Sequence, residues 1–143
     1  MPDPATLASR IVWFDALVTN VDRTPRNTNM LVWHGKLWLI DHGASLYFHH
    51  NWNGAMSRSR APFAQISSHV LRPWATRIMD VDESMAEMLT PPVIEAIVDV
   101  ITETWLGDAP EFATIDDHRA AYRQWLSTRL ESPRIWVEEA ARV

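Results

Sequence analysis

No cysteine occurs among the 143 residues, which excludes disulfides and thiolate metal centres. Lysine is almost as scarce: Lys36 is the single one, and the other twelve basic residues are arginines. With a formal charge of −5 the chain lacks the basic face expected of a nucleic-acid binder, so no nucleic-acid partner is expected. No apolar stretch approaches the roughly 20 residues that span a bilayer. The start, Met-Pro-Asp-Pro-Ala-Thr, has neither the basic residues nor the apolar run of a signal peptide. No membrane partner and a cytoplasmic location are therefore expected. The four glycines, Gly35, Gly43, Gly54 and Gly107, form no cluster, so there is no Gly-rich phosphate loop.

What is present suits one domain, spanning residues 1–143, with a substantial core. Apolar residues make up 47% of the chain and eight tryptophans supply bulky anchors, which excludes intrinsic disorder. Leu7, Ile11, Phe14, Leu17 and Val18 fall at three- and four-residue spacings and predict a first helix, capped by Asp3 or Thr6. Asn20 to Thr28 reads as a loop around Pro25. Asn29 to Trp33 and Lys36 to Asp41 are β-prone runs, with His34-Gly35 as the turn of a hairpin. A poorly patterned connector, Asn51 to Pro62, follows. Helices are then expected over Phe63 to Leu71, Asp82 to Leu89, Pro92 to Leu106, Ile115 to Glu131 and Arg134 to Ala141, with Thr90 as a cap for the third. The expected class is mainly α with one short β-hairpin.

Three polar residues stand out against this pattern. Asp22 precedes Asn27 by five residues in the loop, and the hairpin delivers Asp41 fourteen residues later, in Ile40-Asp41-His42-Gly43. Phosphoryl transfer from ATP asks for such groups in this order. One carboxylate orients and deprotonates the acceptor hydroxyl, a loop Asn binds Mg²⁺, and a second carboxylate holds the metal at the phosphates. An isolated Asp beside a proline is a turn former; three such groups at this spacing form a constellation.

Asp22-Arg23-Thr24-Pro25-Arg26-Asn27 with Leu37-Trp38-Leu39-Ile40-Asp41-His42-Gly43 resembles the catalytic and metal-binding loops of phosphatidylinositol 3- and 4-kinases, and still more those of HipA-like kinases. The likeness is concentrated in residues 11–50. It implies the C-terminal lobe of an atypical kinase fold, with Asp22 as the catalytic carboxylate and Asn27 and Asp41 as ligands of Mg²⁺ or Mn²⁺ carried with ATP. The implied activity is phosphorylation of a hydroxyl, on a protein Ser or Thr. The alternative is a non-catalytic interaction module derived from a kinase.

Several positions depart from the kinase pattern. Thr24 stands where many kinases place Lys or His; Arg23 or Arg26 can meet the phosphates instead, or can hold the loop through salt bridges. His42 replaces the aromatic residue of Asp-Phe-Gly and is expected to pack, with Gly43 permitting the sharp turn after the metal ligand. His34, His42, His49 and His50 with Asp41 raise a rival Zn²⁺ or Mn²⁺ hydrolase centre. Against it, His34 lies at the far end of the strand from His42, and adjacent His49 and His50 point apart on an extended segment. His69 and His118 read as surface or half-buried helix residues. Trp13, Trp33, Trp38 and Trp105 fall in apolar patterns and are expected in the core, with alternation able to expose Trp33 or Trp38; Trp125 and Trp136 are expected to pack between the last helices.

A complete kinase also needs a β-rich lobe with a strand Lys contacting the ATP phosphates. Lys36 follows the catalytic Asp and lies in a turn, so it cannot be that residue. The nucleotide lobe is therefore expected to lie outside these residues: the chain is a fragment, one half of a split kinase, or a remnant. Little activity alone is expected. An exposed apolar face near the hairpin and first helix, with Trp13, Trp33 and Trp38 as its candidates or else filling the core, should receive an N-lobe partner chain or drive homo-oligomer formation.

Overall fold

The computed structural model describes residues 2–107 and 109–142. Helix α1, Pro4–Leu17, starts where expected: the Asp3 carboxylate accepts the Thr6 backbone N–H at 3.1 Å, and Pro4 occupies the first turn, where no N–H is needed. It is buried on more sides than its apolar stripe suggests, with Ser9 and Asp15 enclosed beside Val12, Trp13 and Ala16. The hairpin pairs β1, Met30–Trp33, with β2, Lys36–Leu39, in antiparallel register Met30 to Leu39 and Trp33 to Lys36. His34 (φ 49°) and Gly35 (φ 71°) both take the left-handed conformation that a two-residue hairpin turn requires.

Beyond the hairpin the chain runs through short 3-10 turns, Tyr47–His50, Met56–Arg58, Ala64–Ser68 and Arg72–Trp74, into α2 (Ile78–Met88), α3 (Pro91–Asp99), α4 (Glu103–Leu106), α5 (Ile115–Leu130) and α6 (Ile135–Arg142). The expected helix over 63–71 is thus only the 3-10 turn Ala64–Ser68, ended at His69, whose side chain is drawn inward. Helix α2 begins four residues early, where the Arg77 N–H is held by buried Ser9 Oγ at 2.9 Å. Thr90 does cap α3, accepting the Val93 N–H at 3.4 Å. The long helix expected over 92–106 breaks at Val100–Thr102, where the Ile101 carbonyl receives Arg119 Nη2 at 2.7 Å. The break turns Trp105 outward, and it is 79% exposed rather than in the core.

Two apolar cores result. The first gathers α1, the Ala64–Ser68 turn, α2 and α6, with Trp13 against Trp136 at 5.2 Å between ring centroids. The second gathers Trp52, Ala55, α3, α4 and α5, including Tyr122 and Trp125. Leu89 and Leu130 pack on both. Arg129 lies at the seam, its guanidinium carbon 5.1 Å from the Trp125 ring and 4.8 Å from the Trp136 ring. His69 and His118, expected at or near the surface, are both buried, each by a hydrogen bond that takes it inward: His69 to Asp15 and His118 to the Leu106 carbonyl. The hairpin stands apart from either core. Trp33 is 61% exposed and Val32 72%, and Trp38 is exposed with them, so alternation buries neither tryptophan.

Candidate active site

The end of α1 sets the base of the site. Its last carbonyls would be orphaned without partners. Phe14 O accepts the Val18 N–H at 3.1 Å, Asp15 O the Asn20 N–H at 2.9 Å, and Ala16 O the buried Arg129 Nη2 at 2.8 Å. The Leu46 N–H then donates to Val18 O at 2.7 Å, bringing the segment beyond the hairpin against the start of the Asp22 loop.

Within that loop Thr24 and Asn27 exchange both backbone hydrogen bonds at 3.0 Å, so Pro25 and Arg26 form the corners of a tight turn. The turn sets Asn27 against Asp22: Asn27 Nδ2 donates to Asp22 Oδ2 at 3.0 Å. Asn29, at φ 46°, donates its Nδ2 to the same Oδ2 at 3.2 Å and to the Asp22 carbonyl at 2.8 Å. Two amide donors thus fix one oxygen of the half-buried carboxylate, and Oδ1 takes no hydrogen bond among the described residues. Because Asn27 spends its amino group on Asp22, its carbonyl oxygen is the end left to meet a cation.

Asp41 closes the hairpin at φ 51°, so the sharp turn falls on the aspartate itself and not on Gly43. Gly43 serves differently. Its N–H approaches Asp41 Oδ1 at 3.4 Å, and a Cβ there would stand 3.3 Å from that oxygen, crowding the carboxylate. The Asp41 side chain is exposed.

Arg23 joins the two loops. It is buried, with Nε on Asp15 Oδ2 at 2.6 Å, Nη1 on the Asn29 carbonyl and, at 3.4 Å, on the Ile40 carbonyl, and Nη2 3.3 Å from His42 Nδ1. The Ile40 N–H also reaches the Asn29 carbonyl, at 2.9 Å. Of the two roles open to Arg23 from the sequence, the structure therefore shows the salt bridge. Its N–H groups face Asp15, two carbonyls and His42. Arg26 is exposed at the corner of the turn and makes no ion pair among the described residues. His42 is exposed, with its ring edge-on to Phe14 at 6.2 Å.

Sequence reasoning missed Asp15 and His69. Asp15 is wholly buried and accepts four times: from Arg23 twice, from Asn20 Nδ2 at 3.1 Å and from His69 Nε2 at 2.7 Å. The Leu71 N–H on His69 Nδ1 fixes the imidazole with its proton toward Asp15. Burial alone would raise the Asp15 carboxyl, but the hydrogen bonds from His69 and Arg23 outweigh it and hold the group below its ordinary value. An aspartate on the apolar face of α1, four residues after Ile11, was the available signal.

Asp22, Asn27 and Asp41 present hard oxygen donors on two loops that Arg23 ties together. Such a set fits Mg²⁺ or Mn²⁺, which take one or two carboxylates and complete their shell with water and phosphate. The histidine-rich alternative does not form. His49 and His50 share one 3-10 turn, with rings 4.4 Å apart, and among the described residues no group of three His, Asp or Glu side chains converges for a metal ion. No helix among them is long and apolar enough to cross a membrane.

Neither a curated protein nor a solved structure matches the chain. A family model described as HipA-like kinase matches residues 3–139, taking in both loops and the helices behind them. The chain belongs to the HipA-like kinase family.

Proposed function

We propose that this chain carries the acceptor and metal loops of an ATP-dependent phosphotransferase acting on a hydroxyl, that of a protein Ser or Thr. The observation that carries the reading is the Asp22–Asn27 hydrogen bond at 3.0 Å, on a loop fastened to the Asp41 turn through buried Arg23. Asp22, held at Oδ2, offers Oδ1 to the acceptor hydroxyl. The hydroxyl oxygen bonds to the γ-phosphorus, the bond to the β–γ bridging oxygen breaks, ADP leaves, and the hydroxyl proton passes to Asp22. Mg²⁺ or Mn²⁺ held by Asn27 and Asp41 would neutralise charge on the phosphates. Arg26 is free to meet the same charge from the turn.

The remaining clamp on the nucleotide comes from a β-rich segment seated on the hairpin. Among the described residues both edges of the two-stranded sheet are unpaired, and Leu31, Val32, Trp33, Leu37, Trp38 and Ile40 are exposed beside the Asp41 turn. Until it is covered, this face drives self-association. Sedimentation should show concentration-dependent oligomers that Trp33→Ser combined with Trp38→Ser abolishes; a strict monomer at every concentration refutes the docking face. The same hairpin favours a second reading, a binding module that no longer transfers phosphate.

Titrating the protein with Mn²⁺ while following relaxation of assigned resonances separates the two readings. Broadening should centre on residues 22–27 and 41–43 with millimolar affinity, since most Mg²⁺-type sites rely on substrate phosphates as well, and Asp41→Ala should remove it. Phosphoryl transfer by the chain alone should be barely detectable, because half a site loses the positioning on which the reaction depends. With a nucleotide-clamping segment added, Asp22→Asn should cost about 10²- to 10⁴-fold in rate. Broadening indifferent to Asp41→Ala, or transfer indifferent to Asp22→Asn, rejects the phosphotransferase reading.

A further inference from the structure

A cavity of about 710 Å³ opens beside the second core, outside the Asp22 and Asp41 loops. His49, His50, Trp105, Glu111, His118 and Tyr122 supply most of its chemistry, and neither lysine nor arginine lines it among the described residues. His118 is buried with Nδ1 3.2 Å from the Leu106 carbonyl, to which it donates, and its Nε2 is enclosed with no hydrogen-bond partner among the described residues. His49 Nδ1 is engaged with the Tyr122 hydroxyl at 3.1 Å. Burial above all lowers the His49 pKa, with the neighbouring His50 and His118 adding to it. The walls are aromatic: His118 stacks on Tyr122 at 5.3 Å, and Trp105 projects its indole into solvent at the rim with the exposed carboxylate of Glu111.

Aromatic faces, an enclosed ring nitrogen without a partner and an exposed carboxylate, with no lysine or arginine in the lining among the described residues, make a poorer site for phosphate or carboxylate than for a positively charged donor. We propose that this cavity binds a guanidinium or ammonium group, presented by a basic side chain of the protein that is phosphorylated. Its position suits that source. The cavity begins at Leu46, five residues beyond Asp41, on the segment hydrogen-bonded back to Val18 at the foot of the Asp22 loop. As an acceptor-docking point it rests on the phosphotransferase reading; as a cation site it stands by itself.

The test titrates the full chain with N-acetyl-arginine methylamide, its neutral citrulline counterpart, the peptide Ala-Arg-Ala and spermidine, following histidine and indole resonances without nucleotide or metal. The arginine compounds should shift His49, His118 and Trp105 signals, with the citrulline compound about tenfold weaker, as loss of the charge implies. Glu111→Gln and Trp105→Ala, both at exposed positions, should each weaken arginine binding several-fold while melting stays unchanged. Equal binding of the citrulline compound, shifts confined to other residues, or affinity indifferent to both substitutions overturns the proposal. Spermidine bound in preference to Ala-Arg-Ala keeps the cation site but overturns its assignment to a protein side chain. Because no metal is present, failure here leaves the Mn²⁺ result at Asp41 standing, and loss of that result leaves the cation site intact.

Discussion

Replacing Asp15 with alanine should destabilise the protein by about 3–5 kcal/mol, the range for removing one partner from a buried ion pair. Arg23 and His69 would be left enclosed without their acceptor, and Asn20 would lose one as well. The damage should extend beyond stability. Arg23 also holds the Asn29 and Ile40 carbonyls, so a guanidinium released from Asp15 no longer fixes the distance between the Asp22 and Asp41 loops. Urea unfolding gives the first effect and Mn²⁺ broadening at residues 41–43 the second. The pH dependence has a definite sign. The folded Asp15 pKa lies below its unfolded value, so the stabilisation is complete above about pH 4 and is lost as pH falls through the lower folded value. The gap between the parent protein and Asp15→Ala should therefore hold constant from neutral pH down to about 5 and narrow only in stronger acid. A variant within about 1 kcal/mol of the parent, a change typical of an ordinary point substitution, would show that the network merely fills space.

The local parts of this site were legible in the sequence because they depend on local chemistry. Asp22 and Asn27 meet across a turn that Pro25 helps to form, and His34-Gly35 makes the hairpin turn through left-handed backbone that glycine accepts readily. Asp3 and Thr90 cap helices by bonding N–H groups three residues away. What escaped reading depends on distance along the chain. His69 reaches Asp15 across 54 positions and Arg129 reaches Ala16 across 113, and no periodicity records either meeting. Trp105 illustrates the converse: it fits the apolar pattern of one long helix, but Arg119 draws the Ile101 carbonyl out of the ladder and the indole turns to solvent. The two tryptophans of the hairpin are exposed because nothing among the described residues packs on either face of a two-stranded sheet, and alternation has meaning only when one face is covered. Arg23 was ambiguous in principle: a guanidinium suits a phosphate and a buried carboxylate equally, and only the position of Asp15 decides between them.

The other large effect should come from Arg129, for a different reason. Its guanidinium is buried with no carboxylate beside it among the described residues, and burial pushes its pKa down to about 9, still high enough to leave it a cation at neutral pH. It donates to the Ser59 carbonyl at 2.9 Å, the Ala61 carbonyl at 3.0 Å and the Ala16 carbonyl at 2.8 Å, between the faces of Trp125 and Trp136. Desolvating the cation costs several kcal/mol, and three charge-assisted hydrogen bonds with two ring faces offset about that much, so its net contribution is small. Truncation is another matter. Arg129→Ala strands three carbonyls, each costing about 1–3 kcal/mol when buried and unpaired, and opens a void at the seam of the two cores. A loss of about 4 kcal/mol or more is expected. Ala16 is in the last turn of α1, so that turn, which carries Asp15 into the site, should loosen with it. Arg129→Met separates hydrogen bonding from packing, since it fills much of the same volume without a donor. If the carbonyls matter, the methionine variant should remain at least about 2 kcal/mol below the parent, and hydrogen exchange should accelerate at the α1 carboxyl end before the remainder of the first core. A methionine variant as stable as the parent, with exchange unchanged at Val18 and Asn20, would mean that the seam needs only a filled volume and that the end of α1 is held by its own turn.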